Sequence, residues 1–144
     1  MSIPSGWLLF ALLSAVFAAL TSILAKIGIK GVDSNLATAI RTGVVMIFSW
    51  GIVISQGTVK NLSGLSKTTW IFLVLSGLAT GLSWLFYFRA LQIGEASKVV
   101  PIDKLSLVLA IIMASIFLHE KMTMSTVIGS ILITLGVLVI SMWK

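Results

Sequence analysis

The sequence predicts an all-α fold, a polytopic membrane helix bundle with five transmembrane helices, on three observations. Of the 144 residues, 58% are hydrophobic and only 10% are charged, where a soluble domain carries about 25% charged residues. The mean hydropathy is +1.15. The apolar residues also fall into runs of about twenty, the length a helix needs to cross a hydrocarbon core of about 30 Å. Backbone that faces lipid has to satisfy its own hydrogen bonds, which leaves helices or a closed barrel. The short alternating strands of a barrel are not in the sequence.

The elements follow in chain order. Span one is expected over 7–29, from Trp7 to Ile29, with Lys26 near its end. Its N-terminal flank, MSIPSGW, has no Lys or Arg ahead of a long apolar run, so it is read as a retained span and not a cleaved signal. Gly31 suits the turn that ends it, and Ser34 or Asn35 suits the N-cap of span two. Span two covers 36–54, with Arg41 near its start. A polar loop from Gln56 to Thr69 leads to span three, 70–88. The tight turn Gly94-Glu95-Ala96-Ser97 leads to span four, 99–118, which carries Pro101, Asp103 and Lys104 just inside its leading end. Pro101 is placed in the first helical turn, where no amide donor is needed. Glu120-Lys121-Met122 leads to span five, 123–142. No loop is long enough to be a domain, so 1–144 is taken as one domain and function is assigned to the helices.

Small residues mark packing faces. Ser14, Ala18 and Ser22 recur every four residues in span one, Gly77 and Gly81 form G-x-x-x-G in span three, and Gly129 and Gly136 share a face of span five. Trp7, Trp70 and Trp143 sit at span ends, and Trp50 and Trp84 within about a turn of one. All five suit the headgroup level.

Several chemistries are excluded. There is no cysteine and only one histidine, so a disulfide framework, a thiolate centre or a multi-histidine metal site is not expected. His119-Glu120 begins like H-E-x-x-H but lacks the second histidine, and no phosphate loop of the G-x-x-x-x-G-K type occurs. No cofactor is implied. The net charge of +6 is not clustered as a nucleic-acid surface would be. It reads as topology and attraction to anionic lipid.

On the side of the N-terminus lie Lys60, Lys67 and Lys121. The other side has Lys26, Lys30, Arg89, Lys98 and Lys144, with Arg41 and Lys104 at shallow depth. That bias puts the C-terminus in the cytoplasm, and it is modest enough to leave dual insertion open. Arg41 and Asp103 come out at matching depth, roughly 6–8 Å inside the same boundary. A charge there costs about 2.5–3.5 kcal/mol unless it is offset. Lys26 and Lys104 approach the same level, so one acid stands among an excess of bases, which suits an anionic or zwitterionic solute. The structural alternative is that these groups only pair with one another or snorkel to the headgroups.

Three segments carry a resemblance: Ala37-Thr38-Ala39-Ile40-Arg41-Thr42, Pro101-Ile102-Asp103-Lys104-Leu105-Ser106 and Leu118-His119-Glu120-Lys121. With the Gly129 to Gly136 pattern they make the chain resemble the EamA domain of the drug/metabolite transporter superfamily, in particular its short bacterial and archaeal members. The resemblance implies one half of a ten-helix, inverted-repeat transporter fold, working as a homodimer in the cytoplasmic membrane, parallel or antiparallel. The small multidrug exporters of that superfamily use a glutamate in their first span. Here span one has no acid, so Asp103 is the candidate for proton coupling, with Glu120 at a span edge as the weaker one.

These readings converge on a secondary transporter of a small metabolite, an amino acid or related organic anion or zwitterion. Its partners would be the bilayer, the solute and a second copy, with no nucleic acid. The other reading is a non-transporting membrane subunit or lipid-handling partner. An enzyme is not expected, because no nucleophile has a base within reach.

Overall fold

The computed structural model describes residues 5–142, so Trp143 and Lys144 and the leading residues 1–4 lie outside the described residues. The described chain is all helical, with five helical stretches long and apolar enough to cross a membrane. They are α1 (Ser5–Gly28), α2 (Ser34–Ser55), α3 (Lys67–Ile93), a fourth span built from two pieces, α4 (Ala96–Asp103) and α5 (Leu105–Phe117), and α6 (Met124–Met142). A short 3₁₀ helix, Thr58–Gly64, lies within the link between α2 and α3.

The helix ends have local causes. Gly31, at φ +73°, supplies the left-handed residue after α1. The cap of α2 is Asp33, not Ser34 or Asn35 as expected. Its Oδ1 accepts from Asn35 N at 2.9 Å and Leu36 N at 3.0 Å, so a carboxylate satisfies two donors at the positive end of the helix dipole. Ser66 caps α3, its hydroxyl accepting from Thr69 N at 3.1 Å. Thr123 caps α6 in the same way through Thr126 N at 3.2 Å.

Span four differs from expectation in its start and its continuity. The Glu95 carbonyl accepts from Lys98 N at 3.0 Å and Val99 N at 2.9 Å, so helix begins at Ala96 and the expected turn is shorter. Pro101 therefore stands inside α4 and not in its first turn. It has no N–H to give to the Ser97 carbonyl, and its ring crowds that turn. The helical run is interrupted at Lys104, where Lys104 N donates to Pro101 O and Leu107 N to Lys104 O, each at 3.0 Å. These are i→i−3 bonds of the tighter 3₁₀ kind. At the far end His119 takes φ +55°, and Glu120 N donates back to Ala114 O at 3.3 Å.

The chain divides into two compact units, Leu24–Gln92 and the remainder up to Ile23 and from Ile93 onward. In the first, Ile29, Phe88 and Leu91 are buried with Ser34 and Thr38. In the second, α6 packs along α4 and α5 and buries Ser130 and Val137. Most other large apolar side chains are exposed along the spans, as expected where the solvent is lipid and not water. Hydroxyls inside the helices bond their own backbone four residues back, among them Thr38 to Ser34 O at 2.8 Å and Ser130 to Thr126 O at 2.8 Å.

The four glycines expected at helix contacts are corrected. A Cβ built at Gly77, Gly81, Gly129 or Gly136 would meet no atom within 4 Å. Close helix approach at these positions is not made within the chain, because the faces carrying them open onto space.

Candidate functional site

The polar centre of unit Leu24–Gln92 is built by two facing helix stripes. On α2, Ser34, Thr38 and Arg41 lie at i, i+4 and i+7, one face of a helix. On α3, Trp84, Phe88 and Leu91 repeat the spacing in reverse. The Arg41 guanidinium carbon lies 3.0 Å from the centroid of the Trp84 ring and 5.6 Å from that of Phe88. A planar, weakly hydrated cation stacked on an aromatic face is well suited to a membrane interior. It is also incomplete. Arg41 Nη1 is buried and has no hydrogen-bond partner among the described residues, although stacking leaves the edge of the guanidinium, with its N–H donors, free to bond.

The ends of these helices are fastened. Lys26 Nζ donates to the Leu91 carbonyl at 2.5 Å, a cation on the negative end of α3. Gln92 Nε2 donates to Val32 O at 2.8 Å, and Arg89 Nη1 donates to Gln92 Oε1 at 2.7 Å. Lys26, expected to join the charge cluster, serves here as a cap.

Beside the stack lies an open cavity of about 390 Å³. It is lined by Thr42 and Val45 of α2 and by Gly77, Thr80, Gly81 and Trp84 of α3, among others. Thr42 Oγ1 donates to Thr38 O at 2.8 Å and Thr80 Oγ1 to Ser76 O at 2.9 Å.

Asp103 and Lys104 belong to the other unit, at the α4–α5 break. They pair with each other, Nζ to Oδ2 at 3.6 Å, with both side chains at least a third exposed. Arg41 and Asp103 thus each have a partner inside their own unit. Glu120 lies in the exposed link between α5 and α6. A second cavity, about 300 Å³ and lined by Val108, Ile112, Ser130 and Thr134 among others, lies between α5 and α6.

Sequence reasoning assigned Trp84 to the headgroup belt and passed over Phe88. Trp84 lies nine residues before the end of α3, roughly 13 Å along the helix. The available signal was the shared i, i+4, i+7 face of Trp84, Phe88 and Leu91.

Five apolar spans carrying a stacked, half-satisfied arginine define a polytopic helical membrane protein with a polar site inside it. The chain belongs to the EamA-like transporter family, whose pattern matches residues 5–142. It is 45% identical over 138 residues to an uncharacterized transporter in the cobO 3' region of Sinorhizobium sp., covering 96% of this chain and 98% of the relative. It is 32% identical over 136 residues to the uncharacterized transporter YvbV of Bacillus subtilis, covering 92% of this chain but 44% of the relative. An uncharacterized protein of Methanocaldococcus jannaschii is 26% identical over 104 residues, 66% of this chain and 76% of that protein. No solved structure matches the chain.

Proposed function

We propose that the protein is a secondary transporter of a small organic anion or zwitterion, and that it works by alternating access as a homodimer in the cytoplasmic membrane of a bacterium or archaeon. The carrying observation is Arg41, a cation held inside a span on Trp84 with a buried nitrogen left without a protein partner. An intramembrane charge is costly unless it is used or neutralised, and an anionic group of the cargo would complete it. The break in span four beside Asp103 fits the same reading, since interrupted helices commonly flank transporter sites. The dimer draws support from length: the chain aligns with 44% of the Bacillus relative, which leaves room there for a second domain of the same size.

The test is uptake or exchange of metabolites by the purified protein in liposomes. Transport of at least one anion or zwitterion that is lost in Arg41→Ala is the expected result. Failure across a broad panel with folded protein would overturn the proposal. Single cysteines placed at positions 2 and 144 of a chain that has none test the arrangement of the dimer. Labelling of each from both sides of the membrane means dual insertion and an antiparallel pair, and one-sided labelling means a parallel pair.

A further inference from the structure

We infer that the α2–α3 cavity beside the Trp84–Arg41 stack is the cargo site itself, that it takes an amino-acid zwitterion, and that Gly77 and Gly81 set the size of side chain it admits. The inference rests on the transport reading for its biological meaning, but not for its chemistry. Trp84 belongs to both parts of the site: its ring carries the guanidinium at 3.0 Å and also lines the cavity. Thr42 is the residue after Arg41, and Thr80 lies one turn from Trp84 on the same side of α3. The charged head and the cavity are therefore contiguous through side chains of both helices.

The hydrogen-bond inventory selects the ligand. Arg41 offers donors only, with Nη1 unpaired, and so asks for a carboxylate. Thr42 and Thr80 have each given their one hydroxyl proton to a backbone carbonyl of their own helix. What their oxygens offer the cavity is lone pairs, which ask for a donor. A plain carboxylate would satisfy the first demand and leave the second unmet. An amine would do the reverse. A molecule carrying both a carboxylate and an ammonium meets both.

Size follows from the glycines. A volume of about 390 Å³ is at the small end for ligand sites. Gly77 and Gly81 line the cavity, and a Cβ at either would meet no protein atom within 4 Å. Side chains there would enter space now open to ligand without disturbing the fold.

The experiment measures binding, separately from transport. The full chain in detergent micelles is titrated with each of the twenty L-amino acids, read by ligand-dependent thermal unfolding. The tightest binder is then compared with its analogue lacking the ammonium and its analogue lacking the carboxylate. Each analogue is expected to bind about tenfold more weakly or worse, the effect of losing one charged hydrogen bond. Thr42→Val with Thr80→Val should lower amino-acid affinity by about tenfold, leave the ammonium-free analogue unchanged, and be rescued by serine at both positions. Gly81→Val should shift preference toward smaller side chains while the dimer, followed by cross-linking, persists. The inference is overturned if no amino acid binds the folded protein, if the ammonium-free analogue binds equally well, or if Gly81→Val breaks the dimer without altering size preference. Binding as expected with no uptake in liposomes would sink the transport proposal and leave the site standing.

Discussion

The Arg41 guanidinium lies flat on Trp84, its central carbon 3.0 Å from the ring centroid, with Phe88 at 5.6 Å on the same helix face. This arrangement separates two properties of an arginine that usually come together. The faces of the ion are engaged by aromatic carbon, while its edge retains N–H donors. Arg41→Lys keeps the charge and loses the planar stack. It is expected to lower transport at least tenfold, because an ammonium neither stacks nor presents a fork to a carboxylate. Trp84→Ala should destabilise the folded chain by about 1–2 kcal/mol, the scale of a desolvated cation–π pair, with Trp84→Phe retaining part of it. Unfolding midpoints in detergent and uptake in liposomes check the two effects separately.

Asp33 holds two backbone donors at the start of α2. Asp33→Ala is expected to cost about 1 kcal/mol, and Asp33→Asn or Asp33→Ser much less. Amide hydrogen exchange should speed up at Asn35 and Leu36 and remain unchanged in the middle of α2. Uniform loss of protection throughout α2 would show that the cap governs more than its own turn.

His119 holds a left-handed φ of +55°, a conformation that costs a side chain with a Cβ about 1 kcal/mol relative to glycine. His119→Gly should therefore leave stability unchanged or raise it by up to about 1 kcal/mol, and His119→Val should lower it. A drop in the unfolding midpoint of His119→Gly would assign the imidazole a contact of its own.

The break in span four follows from Pro101. Pro101→Ala restores an N–H for the Ser97 carbonyl and relieves the ring clash. Slower exchange of the amides from Asp103 to Leu107 is the expected outcome. Asp103→Asn removes the 3.6 Å pair with Lys104. Because both groups are substantially exposed, less than about 1 kcal/mol of stability should be lost. A loss of pH-driven uptake in that variant, with stability kept, would mark Asp103 as the coupling acid.

The spans were legible because hydropathy over about twenty residues is a sum, and sums tolerate local exceptions. All five appear, within a few residues of where the apolar runs put them. What the sequence concealed depended on pairing across space. Asp33 looked like a loop acid, and its place as a cap emerges only when its oxygen is seen to reach two amides. Pro101 looked like a first-turn residue because the apolar run starts at Val99, yet the polar Ala96-Ser97-Lys98 also winds into helix. Trp84 was misread for a general reason: tryptophan near a span end is usually an anchor, and only the position of Arg41 shows that this one carries a cation. The glycines suggested contact, but the absence of a side chain is equally a way to leave room.

The hydrogen bonds that fasten Lys26 to Leu91 and Gln92 to Val32 gather at one end of α2 and α3. The cavity lies further along, from Thr42 onward. Two rods joined at one end act as tweezers. Val45 is thirteen residues beyond Val32, about 20 Å along a helix. A swing of about 10° at the joint would move it by about 3–4 Å over that length, enough to admit or expel a methylene chain. The small motion would be made where polar bonds hold the pivot, and the large one where threonine, valine and glycine line the jaws.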